Sequence, residues 1–184
     1  MVESEKRDAV EFLIDQHEEI RRRFGAVALA PEGLRGREFE SLVRLLAVHE
    51  TAEEEVVYPV LRQVGGGDSL VEARLAEEDK AKKMLVELER RGPDSPGFVD
   101  QLQDVKVAVE AHAEREEREV FPLLRSEVDD RWRAHMEAAL RVAEALAPTH
   151  PPQLAPESAV GNLLVGPFLA VADRARDLLR EAQR

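Results

Sequence analysis

One pattern occurs twice in this chain, as HETAEEEVVYPVL at residues 49–61 and as HAEREEREVFPLL at residues 112–124. In both copies a glutamate follows the histidine by four positions, an aromatic residue by nine, a proline by ten and a leucine by twelve. Residues four apart lie on one face of a helix, one turn apart. Each copy therefore aims an imidazole and a carboxylate at the same point.

The histidine and the glutamate four positions later form a candidate pair of metal ligands in each copy. The two pairs are His49 with Glu53 and His112 with Glu116. Two facing helices that carry such pairs can place two nitrogens and two bridging carboxylates around a pair of metal ions. The alternative is that each pair is only a salt bridge on a helix surface. The aromatic, proline and leucine residues that follow at the same spacing in both copies argue against a chance match of the two patterns. The neighbouring acids that stay open as ligands are Glu50, Glu54 and Glu117.

The composition narrows the classes of function. The chain has 184 residues, of which 26 are basic and 38 acidic, and its net charge of −12 argues against a nucleic-acid partner. It has no cysteine, so any metal must be held by nitrogen and oxygen. Neither a secretory signal nor an apolar run of membrane-spanning length is present, so we expect a cytoplasmic protein without a membrane partner.

Apolar residues recur at helical spacing through most of the chain. We predict helices over residues 4–28, 37–64, 70–91 and 95–127, with Ser4 as a partial N-cap of the first. Four helices of this length with short loops indicate an all-α, antiparallel four-helix bundle over residues 1–128. The prolines at positions 59 and 122 fall inside the second and fourth helices, where each is expected to kink the helix or end it.

The residues after the bundle form a predicted helical extension over 129–184. A fifth helix is expected at 130–146, followed by a proline-rich linker near 147–156 and a last amphipathic segment at 158–184. That segment is expected to pack on the bundle or on a partner chain, which would make a homo-oligomer; the alternative is a loosely attached tail. His135 and His150 are interpreted as solvent or packing residues, and Trp132 as a packing residue between helices.

His17 lies on the inward stripe of the first helix, one turn after Leu13. With the two repeats and the acidic helical layout, it makes residues 8–126 resemble the hemerythrin-like, or HHE cation-binding, family. The resemblance implies a four-helix bundle around a non-haem centre of two iron ions, oxo- or hydroxo-bridged, with two bridging carboxylates. The residues that match the ligands of that family are His17, His49, Glu53, His112 and Glu116.

The third helix departs from the family pattern, because it contains no histidine. The place of the usual histidine, six residues before Met84, is taken by Glu78, which we predict as the third-helix ligand. Glu77 and Asp79 are alternatives because the sequence does not fix the helix rotation. A further alternative is that this acidic run lies on the surface and contributes nothing.

A carboxylate in place of a neutral imidazole adds negative charge, which should stabilise ferric iron and lower the reduction potential. We therefore hypothesise reaction with hydrogen peroxide, dioxygen or nitric oxide, with catalase- or peroxidase-like turnover, rather than oxygen transport. The alternative function is a module that binds or senses dioxygen, nitric oxide or iron without turnover. Zinc stays open as the metal. Tyr58, one turn after Glu53, could approach the metal ions, but its match in the second copy is Phe121, so we interpret it as a packing residue.

Overall fold

The computed structural model describes residues 7–146, and its elements are all helical. Short connections join neighbouring helices, so α1 packs antiparallel to α2 and α4 antiparallel to α5. The predicted all-α bundle is confirmed. In chain order the elements are α1 Ala9–Leu29, α2 Glu32–Ala52, a π-helical turn Glu53–Val57, α3 Tyr58–Leu61, α4 Gly67–Arg91, α5 Phe98–Arg115, a second π-helical turn Glu116–Val120, α6 Phe121–Glu127 and α7 Asp130–Leu146.

The starts of all four predicted bundle helices differ from the structure, and two of them by three residues: α4 begins at Gly67 rather than residue 70, and α5 at Phe98 rather than residue 95. Asp8 caps α1 by accepting hydrogen bonds from the backbone N–H groups of Val10 and Glu11, whereas Ser4 lies outside the described residues. The second helix begins at Glu32 rather than near residue 37, because Pro31 is well suited to the start of a helix. Residues 30 and 31 are enough to connect α1 to α2.

A π-helical turn precedes each of the two prolines. In the first, the N–H of Tyr58 bonds to the carbonyl of Glu53, five residues back, and in the second the N–H of Phe121 bonds to the carbonyl of Glu116. A proline ring clashes with the carbonyl four residues earlier, and a wider turn moves that carbonyl away. The prolines therefore widen the preceding turn instead of ending the helix, and a repeated glutamate begins each wide turn.

Two apolar layers close the bundle above and below a buried polar layer. Along α1, Leu13 belongs to one apolar cluster and Ile20 to the other, and His17 lies between them. Along α5 and its π-helical turn, His112 lies in the same way between Val109 and Val120. The polar layer is thus shielded from water on both sides, which strengthens electrostatic interactions within it.

Helix α7 packs against α1 and α2 and contributes to the core. Met136 and Leu140 are fully buried in the same cluster as Leu13, and Trp132 packs against this cluster, as predicted. Residues 147–184, with the predicted linker, the last amphipathic segment and His150, lie outside the described residues. None of the helices described over residues 7–146 is long and apolar enough to span a membrane.

Candidate metal centre

The six predicted ligands come together in the polar layer, and all six are buried. One ligand atom from each member of two four-residue groups lies within 4.8 Å of the others in its group. The groups share Glu53 and Glu116, so the two sets of residues, each of which could hold a cation, have two carboxylates in common. The first group is His17, His49, Glu53 and Glu116, and the second is Glu53, Glu78, His112 and Glu116. We call these six residues the six-residue cluster.

The candidate ligand atoms of the cluster face one another without forming hydrogen bonds to each other. His17 Nε2 lies 3.3 Å and His112 Nε2 3.4 Å from Glu116 Oε2, yet none of these three atoms has a hydrogen-bond partner within residues 7–146. Both carboxylate oxygens of Glu53 and Oε2 of Glu78 are likewise buried without a hydrogen-bond partner there, although Glu78 Oε2 lies 3.5 Å from Lys82 Nζ. Unpaired buried polar atoms are costly, and metal cations would satisfy all of them at once. The residues therefore fit a metal site.

The electrostatics of the cluster also fit cations. Burial, helped by the Glu116 and Glu78 carboxylates, raises the pKa of Glu53 well above its usual value. Burial also raises the pKa of Glu78 to about 9, and nearby Glu50 adds to this shift. Burial lowers the pKa of His49 well below its usual value, which leaves a neutral imidazole that can bind a metal. A bound cation would take the place of the protons that these carboxylates otherwise retain.

Carboxylates behind two of the histidines orient their rings. His17 Nδ1 lies 2.9 Å from Glu117, which also accepts a hydrogen bond from Arg21, and these contacts lower the pKa of Glu117 to about 2. His112 Nδ1 lies 3.3 Å from Glu77. An Nδ1–H that donates outward leaves the Nε2 lone pair for a metal. Glu117 and Glu77, two alternatives for the ligand role, thus lie on the outer side of the histidines.

The third histidine has a different outer partner. His49 Nδ1 lies 2.8 Å from the side-chain oxygen of Gln16, and the amide nitrogen of Gln16 donates to Glu144 on α7. A chain of two hydrogen bonds therefore connects α7 to the polar layer. Sequence reasoning missed Gln16, although its position directly before His17 on the inward side of α1 was an available signal.

The other acidic alternatives lie at the rim of the layer. Glu54 and Asp79 are partly exposed and pair with lysines, Glu54 with Lys82 and Asp79 with Lys83. Glu50 is more buried and also contacts Lys82, at 3.4 Å. Burial raises the pKa of Glu50 to about 7.

Tyr58 does more than pack, contrary to the interpretation of the sequence. Its hydroxyl donates a hydrogen bond to Glu78 and lies 3.3 Å from Glu116 Oε1. Its counterpart Phe121 stacks on the ring of His17, with ring centroids 5.6 Å apart. The only difference between the two aromatic residues is the hydroxyl of Tyr58, and this difference could have indicated a polar role for Tyr58 from the sequence.

A small cavity adjoins the cluster on the side of Ile20. Its volume of about 20 Å³ has room for a water-sized molecule, and its walls combine apolar side chains with ligand candidates. The apolar and small residues of the wall are Ile20, Leu46, Ala81, Val109 and Ala113.

Residues 8–124 match the family model of the hemerythrin HHE cation binding domain, and the chain belongs to this family. A hemerythrin-like protein of Schizosaccharomyces pombe is 26% identical over 138 residues, which cover 74% of this chain and 68% of that protein. A DNA nickase of Nostoc sp. is 30% identical over 106 residues, which cover 55% of this chain but only 30% of the nickase.

A solved structure has the same fold. The hemerythrin HHE cation binding domain-containing protein of Mycobacterium kansasii superposes with a TM-score of 0.68 at 25% identity, over 76% of this chain and 86% of that chain. The family and the His/Glu cluster together identify this chain as a hemerythrin-like protein with a metal-binding domain.

Proposed function

We propose that this protein is a non-haem di-iron protein whose six-residue cluster holds two iron ions and which reacts with small oxidants. The observation that carries the proposal is the pair of four-residue groups that share Glu53 and Glu116. Three imidazoles and three carboxylates suit iron or manganese, which accept nitrogen and oxygen ligands at high coordination number, better than tetrahedral zinc.

Bound iron would supply electrons by cycling between its ferrous and ferric states. The chain contributes the surroundings of that chemistry. The apolar layers exclude bulk water, and the outer hydrogen bonds of the histidines fix their rings. The adjoining cavity has room for a water-sized molecule, which favours small oxidants such as hydrogen peroxide, dioxygen or nitric oxide over larger substrates. We propose catalase- or peroxidase-like turnover of peroxide as the activity to test.

The test combines iron binding and peroxide consumption in one sample. Protein reconstituted anaerobically with ferrous iron should hold about two irons per chain and consume hydrogen peroxide. His112→Ala should lose both properties. His135→Ala is the matched control, because His135 lies at the surface of α7 and contacts the backbone of Arg131. Absence of bound iron in the wild type, or equal peroxide consumption in the two variants, would contradict the proposal.

A second candidate is a sensing module without turnover. The observation that favours it is the hydrogen-bonded chain from His49 through Gln16 to Glu144, which gives α7 a direct contact with the polar layer. In that case iron would bind without peroxide consumption. Hydrogen exchange of the α7 amides would then differ between ferrous, ferric and metal-free protein.

A further inference from the structure

Lys82 is the only lysine within residues 7–146 that pairs with a member of the six-residue cluster. Its Nζ lies 2.7 Å from Glu54 Oε1, 3.4 Å from Glu50 Oε2 and 3.5 Å from Glu78 Oε2. Three carboxylates thus hold one ammonium group at the edge of the polar layer. Its side chain is only 20% exposed, which distinguishes it from a surface lysine.

The two oxygens of Glu78 have different neighbours. Oε2 faces Lys82, whereas Oε1 accepts a hydrogen bond from Tyr58 and lies 3.7 Å from His112 Nε2. The ammonium and the phenol therefore hold the carboxylate from both sides. Rotation of Glu78 would break at least one of these contacts.

The neighbouring residue pair provides an internal comparison. Asp79 and Lys83 have the same spacing of four residues, but their side chains are 48% and 66% exposed. Those of Glu78 and Lys82 are 1% and 20% exposed. Water screens the charges of the outer pair, so this pair has little electrostatic effect on the polar layer. The inner pair lies where charges interact strongly.

We propose that Lys82 is a positioning residue that fixes Glu78 and raises the reduction potential of the metal that Glu78 binds. This inference rests on the proposed di-iron function. A nearby positive charge favours the less positively charged, ferrous state. Lys82 therefore offsets the negative charge that a glutamate brings in place of a neutral imidazole. The potential-lowering effect expected from Glu78 alone is reduced accordingly.

The test measures the midpoint potential of the iron-loaded protein by spectroelectrochemistry, with iron content measured in the same samples. Lys82→Met keeps most of the apolar stem and removes the charge, Lys82→Arg keeps the charge, and Lys83→Met is the matched surface control. Lys82→Met should raise the ferric-to-ferrous ratio at fixed potential tenfold or more, a downward shift of about 59 mV for a one-electron couple. Lys82→Arg keeps the charge, so its midpoint potential should stay close to that of the wild type. Lys83→Met should change the ferric-to-ferrous ratio less than twofold.

The outcomes separate this inference from the proposed function. If wild-type protein binds no iron, the proposed function fails. If all variants bind two irons and Lys82→Met leaves the potential unchanged, the role of Lys82 is refuted while the iron site stands. Equal shifts in Lys82→Met and Lys83→Met would also refute it, because the effect would then come from overall charge.

Discussion

Metal-free protein should lose stability as the pH rises from 7 to 9. Burial raises the pKa of Glu78 to about 9, against about 4.5 for an exposed glutamate, so between these values the folded state binds a proton that the unfolded state has released. Stability therefore falls with rising pH throughout this window. The effect of Glu53 has the same sign, because burial also raises its pKa.

The magnitude follows from the shift. One pH unit corresponds to about 1.4 kcal/mol per fully retained proton. Because Glu78 is already half deprotonated at pH 9, it alone removes about 2 kcal/mol between pH 7 and pH 9. This is a large part of the 5 to 15 kcal/mol or so that stabilises a typical domain. Metal ions should abolish the loss, because they replace the protons as partners of the carboxylates.

The assay is urea unfolding of protein treated with a chelator and of iron-loaded protein, at pH 7, 8 and 9. Glu78→Gln should reduce the pH dependence of the metal-free protein without abolishing it, since residue 78 no longer titrates while Glu53 still does. Glu18→Gln, at an exposed position of α1, is the matched control and should keep the full slope. An unfolding free energy of the metal-free wild type that is constant or rises between pH 7 and pH 9 would show that Glu78 does not retain a proton in the folded state.

Three further predictions concern the surroundings of the site. Gln16→Leu removes the acceptor of His49 Nδ1, so metal affinity should fall 10- to 100-fold or so in a metal titration. Tyr58→Phe removes a donor to a buried carboxyl group, so metal-free protein should lose about 1 to 3 kcal/mol in urea unfolding at pH 7. Leu140→Ala leaves a cavity where α7 meets the core, so calorimetry and denaturation should show a loss of about 2 to 5 kcal/mol.

Each of these predictions has a control and a contrary result. Gln63→Leu, on the exposed side of the chain after α3, should leave metal affinity unchanged, and an equal loss would contradict the role of Gln16. Unchanged stability of Tyr58→Phe would mean that its hydroxyl adds nothing to the buried carboxyls. Ala138→Gly, at an exposed position of α7, should cost only about 1 kcal/mol through helix propensity. A similarly small loss for Leu140→Ala would mean that α7 is not part of the core.

The positions of the histidines and glutamates within one helix could be predicted from spacing, because helical geometry fixes which residues share a face. That spacing brought out His49 and Glu53 as one pair and His112 and Glu116 as another. Placing Glu78 in the third helix needed the resemblance to a known family, since the acidic run around it allows several rotations. The structure brings its carboxylate into the layer and leaves Asp79 outside.

Contacts between helices could not be predicted in the same way. The side chains of Gln16, Tyr58 and Lys82 contact residues of other helices. Helix periodicity does not predict which residues of two different helices come into contact. The π-helical turns could not be predicted from the sequence either, because a proline within a helical pattern is compatible with a kink, a helix end or a widened turn. Their recurrence before both prolines shows that the repeat encodes a backbone conformation as well as ligands.

Anomalous diffraction at the iron absorption edge, from crystals of the iron-loaded protein, would locate the metal ions that the six-residue cluster is proposed to hold. We expect two peaks inside the six-residue cluster, one beside His17 and His49 and the other beside Glu78 and His112, with Glu53 and Glu116 between them. A single peak, or peaks outside the cluster, would contradict the proposed di-iron site.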